Sequence, residues 1–168
     1  MIYVKLKLFI NKIMKNKIGI IFLLLISIIL CIFILFPKVC SGYIPTQYKE
    51  LYNLTNEARV KNGVNKLRYN YRLQKSATMK ACDMRDRNYW SHQDPEGRYS
   101  WYMISKVGYR YRMAGENLAK DFNSNEGMLE ALMNSKTHRA NILNPQYQDI
   151  GIGKCGTFTV FHFGKLQI

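Results

Sequence analysis

The sequence predicts an α+β domain carried behind one apolar segment. Three observations point there. Apolar residues recur at helical spacing in the first half of the chain after residue 46. Two short runs near the C-terminus, Ile150-Gly-Ile-Gly153 and Phe158 to Phe163, read as the strands of a closing hairpin. Helices first and strands last is the α+β order. Third, the 19 residues from Ile18 to Phe36 carry no charge, which at 1.5 Å per residue is a helix of about 28 Å, close to the thickness of a hydrocarbon core.

The apolar segment divides the chain. Residues 1–17 are basic, with Lys5, Lys7, Lys12, Lys15 and Lys17, and only Lys38 follows within ten residues of the segment. The positive-inside rule puts residues 1–17 in the cytoplasm, 18–36 in the membrane and the remainder outside. A signal peptide has an apolar core of about 7–15 residues and small residues at the cut. This core is longer, and Val39-Cys40-Ser41 is a poor cleavage site. An uncleaved anchor is the preferred reading, and secretion follows if the segment is cut. Lipidation of Cys40 is disfavoured by Pro37 and Lys38. Residues 37–46 form a linker, and 47–168 are long enough for one independent core.

The elements follow in order. Thr46 is placed to cap a helix whose apolar line is Tyr48, Leu51, Tyr52, Thr55 and Ala58, stopped by Asn62-Gly63. Asn70 caps a second, lined by Leu73, Ala77, Ala81 and Met84. A polar loop runs from Trp90 to Gly97. Residues 100–107 make one or two helical turns, and Met113 to Ala119 an extended segment. Met128 to Met133 is a third helix, and Ser135 caps a fourth, Thr137 to Leu143, ended by Asn144-Pro145. The hairpin closes the domain with Cys155-Gly156 at its turn.

The chain carries a formal +14 from 25 Lys and Arg against 11 Asp and Glu. The exported surplus lies between Arg59 and Arg112, with 13 basic and 4 acidic residues. Such a surface either keeps the protein soluble or meets anionic wall polymers or lipid headgroups. The topology disfavours nucleic acid. Tyr99, Trp101, Tyr102, Tyr109 and Tyr111 interleave with Arg98, Arg110 and Arg112, as core with an amphipathic rim or as a cleft wall that stacks on sugar rings or lipid. Four Cys in 168 residues exclude a disulfide-dense scaffold. Cys31 is apolar filler. Cys82 and Cys155 are open to pairing outside the cell, with Cys40 as a competitor.

Three His are the candidates for chemistry. His92 lies in the polar loop. His138 lies in the first turn of the fourth helix, where the positive helix end favours neutral imidazole, available as ligand or base. Glu116 sits among small and apolar residues, where a carboxylate needs a partner. Two His and a carboxylate suit Zn²⁺, although no His-Glu-x-x-His pair brings them together by spacing. His162 shares a strand face with Phe158 and Val160 and reads as a satisfied core or edge histidine.

Taken in order, Asn56-Glu-Ala-Arg59, Ala81-Cys-Asp-Met84, Ser91-His92, Asp94-Pro-Glu-Gly97, Gly108-Tyr109, Gly115-Glu-Asn-Leu-Ala119, Ser135-x-x-His138-Arg-Ala-Asn-Ile-Leu143, Ile150-Gly-Ile-Gly153 and Phe163-Gly164 resemble the CAP superfamily (SCP-like: cysteine-rich secretory protein, antigen 5, pathogenesis-related) in its short bacterial form. The resemblance implies a three-layer α-β-α sandwich with a cleft holding two His and two acidic residues, the two His able to bind Zn²⁺. His92 and His138 match those His as metal residues, and Glu116 matches the first acid, catalytic only if the protein is an enzyme. Asn117 and Ser135 complete the expected cleft. Ser135 stands where longer members carry the second Glu, and Glu130 is nearly a turn and a half too early. A two-carboxylate scheme therefore loses its second member. Asn117 is expected to satisfy backbone beside Glu116, Arg139 to lie at the surface, and Asn141 to bridge loops through its amide. Two functions follow: a surface module binding a wall polymer, lipid or surface protein, or a zinc-dependent hydrolase or peptidase acting outside the cell. No Gly-x-Ser-x-Gly motif supports a serine hydrolase.

Overall fold

A computed structural model describes residues 43–167, together with the isolated positions 2, 3, 6, 7, 21 and 25. The proposed membrane segment, apart from Ile21 and Leu25, lies outside the described residues, as do Cys31 and Cys40. Among the described residues no helix is long and apolar enough to cross a membrane.

The elements are α1 (Thr46–Lys61), β1 (Arg68–Tyr69), α2 (Tyr71–Asp86), α3 (Trp101–Lys106), β2 (Tyr111–Lys120), α4 (Asn125–Asn134), α5 (Lys136–Ile142), β3 (Asp149–Cys155) and β4 (Phe158–Leu166). The sheet order is β1-β3-β4-β2. Among the described strands only β1 and β3 run parallel; β4 pairs antiparallel with both neighbours. The hairpin forms as expected, except that Cys155 ends β3 and Gly156, at φ +59°, takes the turn. β1 is a two-residue strand that the pattern did not reveal.

Helices cover both faces. Alternation along the strands separates two sets of side chains. Ile150, Ile152, Phe161 and Phe163 pack with Leu51, Leu129, Leu132 and Ile142 from α1, α4 and α5. On the other face Val160 and Leu118 meet Ala77, Ala81 and Met84 of α2. A third cluster joins Leu73, Ile104 and Tyr109.

The Ile-Gly-Ile-Gly motif explains how close α2 lies. A Cβ on Gly151 would stand 2.0 Å from the Gln74 nitrogen, and one on Gly153 2.1 Å from that of Thr78. Both obstacles are helix backbone, which cannot rotate away. Gly151→Ala is therefore expected to cost about 2–3 kcal/mol in urea unfolding, as overpacking does. An unchanged unfolding midpoint would refute the close approach.

Caps follow the sequence in part. The Asn70 side chain accepts from the backbone N–H of Arg72 and Leu73. Thr46 does not cap α1: Pro45 holds the cap position, and Thr46 is already helical. The fixed φ of proline sets the chain for the first turn. Ser135 sits at the cap position of α5 but its side chain makes no capping bond; its hydroxyl lies 3.4 Å from that of Thr137. Ser124 caps α4 instead, accepting from Gly127.

Two residues of the Asn56-Glu-Ala-Arg59 stretch fasten α1 to distant backbone. Asn56 exchanges two hydrogen bonds with Leu67. Arg59 is fully buried and donates to the carbonyls of Ile142, Asn144 and Asn65. It thereby donates to the last carbonyl of α5, that of Ile142, in the helix that carries His138. Burial lowers its pKa. Arg59 and Lys80 are both buried, so two members of the basic surplus are withdrawn from the surface. Others are paired: Arg68 with Asp149, Arg87 with Asp83 and Glu96, and Arg98 with Asp94 and Glu96.

Candidate functional site

His92, His138 and the strand position of Glu116 meet at one end of the sheet. A hollow of about 410 Å³ is lined by Trp90, Ser91, His92, Gln93, Tyr99, Leu118 and His138. The two imidazoles that the sequence placed 46 residues apart thus share one wall space.

Glu116 lies beneath. Its place on β2 directs it to the α2 side of the sheet, and register pairs it with His162 of β4. The carboxylate is buried and accepts from His92 Nδ1 at 2.7 Å, His162 Nε2 at 2.9 Å and the Ser100 hydroxyl. Burial by itself pushes its pKa up, but the bonds from His162, His92 and Ser100 prevail and hold it down at about 2. It is ionised at neutral pH and fully engaged. The expected partner requirement is met, and the partner His162 is more than a filler of the core. His162 is fully buried, with Nδ1 2.7 Å from the Ser76 hydroxyl.

With Nδ1–H of His92 donated to Glu116, the lone pair of a neutral ring lies on Nε2. This is the carboxylate–histidine arrangement that orients an imidazole toward a ligand. His138 has its pKa lowered, first by burial and then by His92. It is neutral at pH 7, as expected, although the largest cause is burial rather than the helix end. Imidazole nitrogens are suitable ligands for Zn²⁺ or a neighbouring transition ion. Among the described residues no group of three His, Cys, Asp or Glu is arranged to hold a metal. Glu116 is turned to its hydrogen bonds, which leaves His92 and His138 as the two imidazoles at the hollow.

Asn117 does not line the hollow. It is fully buried, donates to the His138 carbonyl at 3.0 Å and accepts from Asn141 at 2.9 Å. Asn141 also donates to the Glu116 carbonyl, the expected bridge. Together they pin α5 to β2 and set where His138 stands. Ser135 is likewise absent from the lining, since its hydroxyl faces Thr137. Arg139 is exposed and donates to Asn62.

Lys80 is a positioning residue that the sequence reading missed. It is 1 % exposed and donates to the His92 carbonyl and the Tyr89 hydroxyl, both at 3.1 Å. Burial lowers its pKa, against the pull of Glu116, Asp83 and Asp94. Tyr89 in turn donates to Asp83. The loop is stiffened further by Asp94, which accepts from the backbone of Glu96 and Arg98 and from the Arg98 side chain.

The aromatic cluster divides. Tyr109 is fully buried and donates to Asp149, and Tyr111 packs against the same core cluster. Tyr99 reaches the hollow, stacked on Trp101. Trp90, outside the expected cluster, forms another part of the wall.

Comparison with known proteins bears on the family and the fold. A family model described as "CAP: Cysteine-rich secretory protein family" matches residues 52–161. The uncharacterized protein YkwD of Bacillus subtilis (strain 168) is 43% identical over 117 residues, 70% of this chain and 44% of that protein. The uncharacterized membrane protein YlbC of the same organism is 31% identical over 108 residues, 64% of this chain and 31% of that protein. The chain thus spans less than half the length of either relative. An extracellular protein containing a SCP domain from Bacillus anthracis str. Ames superposes with a TM-score of 0.67 at 25% identity, covering 74% of this chain and 45% of that one. An outer surface protein from Borrelia burgdorferi superposes with a TM-score of 0.65 at 24% identity, covering 74% and 97%, which supports the fold alone. With nearly all of the folded region matched, the chain belongs to the CAP, or cysteine-rich secretory protein, family.

Proposed function

We propose that this is a surface-displayed binding module, held at the outer face of the cell membrane by residues 18–36, or released if they are cleaved. Its cleft, around His92 and His138, would take part of a cell-wall polymer. The observation that carries the reading is the engagement of Glu116. A buried carboxylate that already accepts from three side chains orients His92 and, with its pKa held down at about 2, is a weak base for a substrate proton. Binding is therefore preferred over hydrolysis. The Cys82–Cys155 disulfide suits an oxidising compartment, and the relatives named as an extracellular protein and a membrane protein support the same placement.

Zn²⁺ is proposed as a ligand of His92 and His138. When bound it would supply a Lewis acid with open positions. The chain's own contribution is to favour the neutral ring of His138 through burial and to fix His92 through Glu116 and the Lys80 contact to its carbonyl.

The test is co-sedimentation of the full chain, in phosphatidylcholine nanodiscs, with purified cell-wall sacculi, against empty nanodiscs. Retention is expected, with about tenfold weaker retention for His92→Ala and His138→Ala. Added ZnCl₂ is expected to change retention of the wild type and not of either variant. Equal retention of wild type and both variants would overturn the cleft as the binding surface.

A further inference from the structure

The geometry points to a neutral saccharide ring as the ligand of the hollow, and we propose that Trp90 and Tyr99 are its stacking platforms. This deepens the binding-module reading and rests on it.

Two large aromatic side chains stand open at the same hollow. Trp90 is 48 % exposed and Tyr99 49 %. Exposed rings of this size lose apolar burial unless something covers them. Each is backed by a second ring. Trp90 leans on Phe158 with centroids 5.9 Å apart, and Tyr99 stacks on Trp101 at 6.3 Å with planes 13° apart. The loop between them is closed by the Gln93–Tyr99 bridge and the bonds to Asp94. The platforms are therefore rigid before any ligand arrives, which removes part of the ordering cost of binding.

Charge decides the ligand class. Ser91, Gln93 and the two imidazoles supply hydroxyl, amide and ring nitrogen, and Leu118 supplies a small apolar patch. No carboxylate or ammonium lines the hollow. The ions of the loop, Asp94, Glu96, Arg87 and Arg98, satisfy one another. In the metal-free hollow an anionic polymer phosphate or a charged peptide end would find no carboxylate, ammonium or guanidinium as counter-ion. A lipid chain would leave the polar groups unpaired, which is costly. A pyranose ring offers both faces that the hollow requires: axial C–H groups for the aromatic planes and equatorial hydroxyls for the polar groups. An acetamido methyl would fit the Leu118 patch. The volume of about 410 Å³ lies within the range of small-molecule sites.

The chain contains two Trp, Trp90 on the wall and Trp101 behind Tyr99, so its intrinsic fluorescence reports on this site. The full chain in phosphatidylcholine nanodiscs is titrated with tri-N-acetylchitotriose and, separately, with maltotriose. Expected is a saturable fluorescence change with a millimolar Kd for at least one sugar, together with saturation transfer to its ring protons in NMR. Trp90→Ala and Tyr99→Ala should each weaken the NMR-detected binding at least tenfold while the far-ultraviolet circular dichroism stays unchanged. Trp90→Phe should restore most of it. Absence of any response to both sugars up to roughly 20 mM overturns the saccharide proposal, as does binding unaltered in both alanine variants. If the sugars fail while sacculi are still retained in a His92-dependent manner, the saccharide proposal alone falls. Failure of both experiments removes the cleft reading with it.

Discussion

Replacing Glu116 by alanine is expected to lower stability by about 3–5 kcal/mol at pH 7. Three donors point at this carboxylate, from His92, His162 and Ser100. Removing the acceptor leaves them facing a void, and each buried donor left without a partner costs about 1–3 kcal/mol. His92 is on the open side and water can reach it, so the loss falls short of three full penalties. Glu116→Gln keeps the volume and one acceptor oxygen but sets an NH₂ group against a donor; a loss of about 2 kcal/mol is expected. The pH dependence supplies a second readout. The folded carboxyl, at about 2, titrates below its ordinary value of 4.5. Its stabilisation is thus complete above pH 4.5 and is lost as pH falls toward 2. The wild type should lose about 3 kcal/mol across that window through this one group, and Glu116→Gln should show a flatter profile there. Guanidinium unfolding at pH 7 and at steps down to pH 2 measures both. Equal slopes for wild type and Glu116→Gln would mean that the carboxylate is not held by the histidines.

Much of this arrangement was legible in the sequence, and what was missed has a common cause. Helices α1, α2, α4 and α5 were visible because their apolar positions recur every three or four residues, and the hairpin because its strands flank a glycine turn. The cap at Asn70 was legible because the reach from its side chain to Arg72 and Leu73 is local. His92 and His138 were identified through motif resemblance, since no local spacing joins them. The role of His162 depends on its lying opposite Glu116 across β2 and β4, a register that neither strand encodes alone. β1 has two residues, too few to show a period. Lys80 and Arg59 did leave a signal. Lys80 falls in the series Leu73, Ser76, Ala77, Lys80, Ala81, Met84, all buried, and Arg59 continues Tyr48, Leu51, Thr55. A cation on the buried stripe of an amphipathic helix has to find acceptors inside. In both cases the acceptors include a carbonyl of the loop or helix that carries a site histidine.

Removing the disulfide is expected to have a comparably large effect. Cys82 of α2 and Cys155 at the end of β3 are bonded across a sequence separation of 73. Closing a loop of that length in the unfolded chain costs about 4 kcal/mol of chain entropy, so Cys82→Ser with Cys155→Ser should lower stability by about that amount. For a domain of this size the melting temperature should fall by roughly 10–20 °C. Dithiothreitol should reproduce the shift in the wild type and leave the double variant unchanged. The same bond bears on the cleft. Cys155 pairs with Phe158 across the hairpin, and Phe158 backs Trp90. The bridge also ties the hairpin end to the part of α2 that presents Lys80 to the His92 carbonyl. Reduction should therefore loosen the Trp90 wall before it unfolds the domain, seen as faster acrylamide quenching of tryptophan fluorescence at 25 °C. Melting that is insensitive to reductant would mean that the core clusters on the α2 face already fix the hairpin end. The disulfide would then be a mark of an oxidising compartment rather than a support of the site.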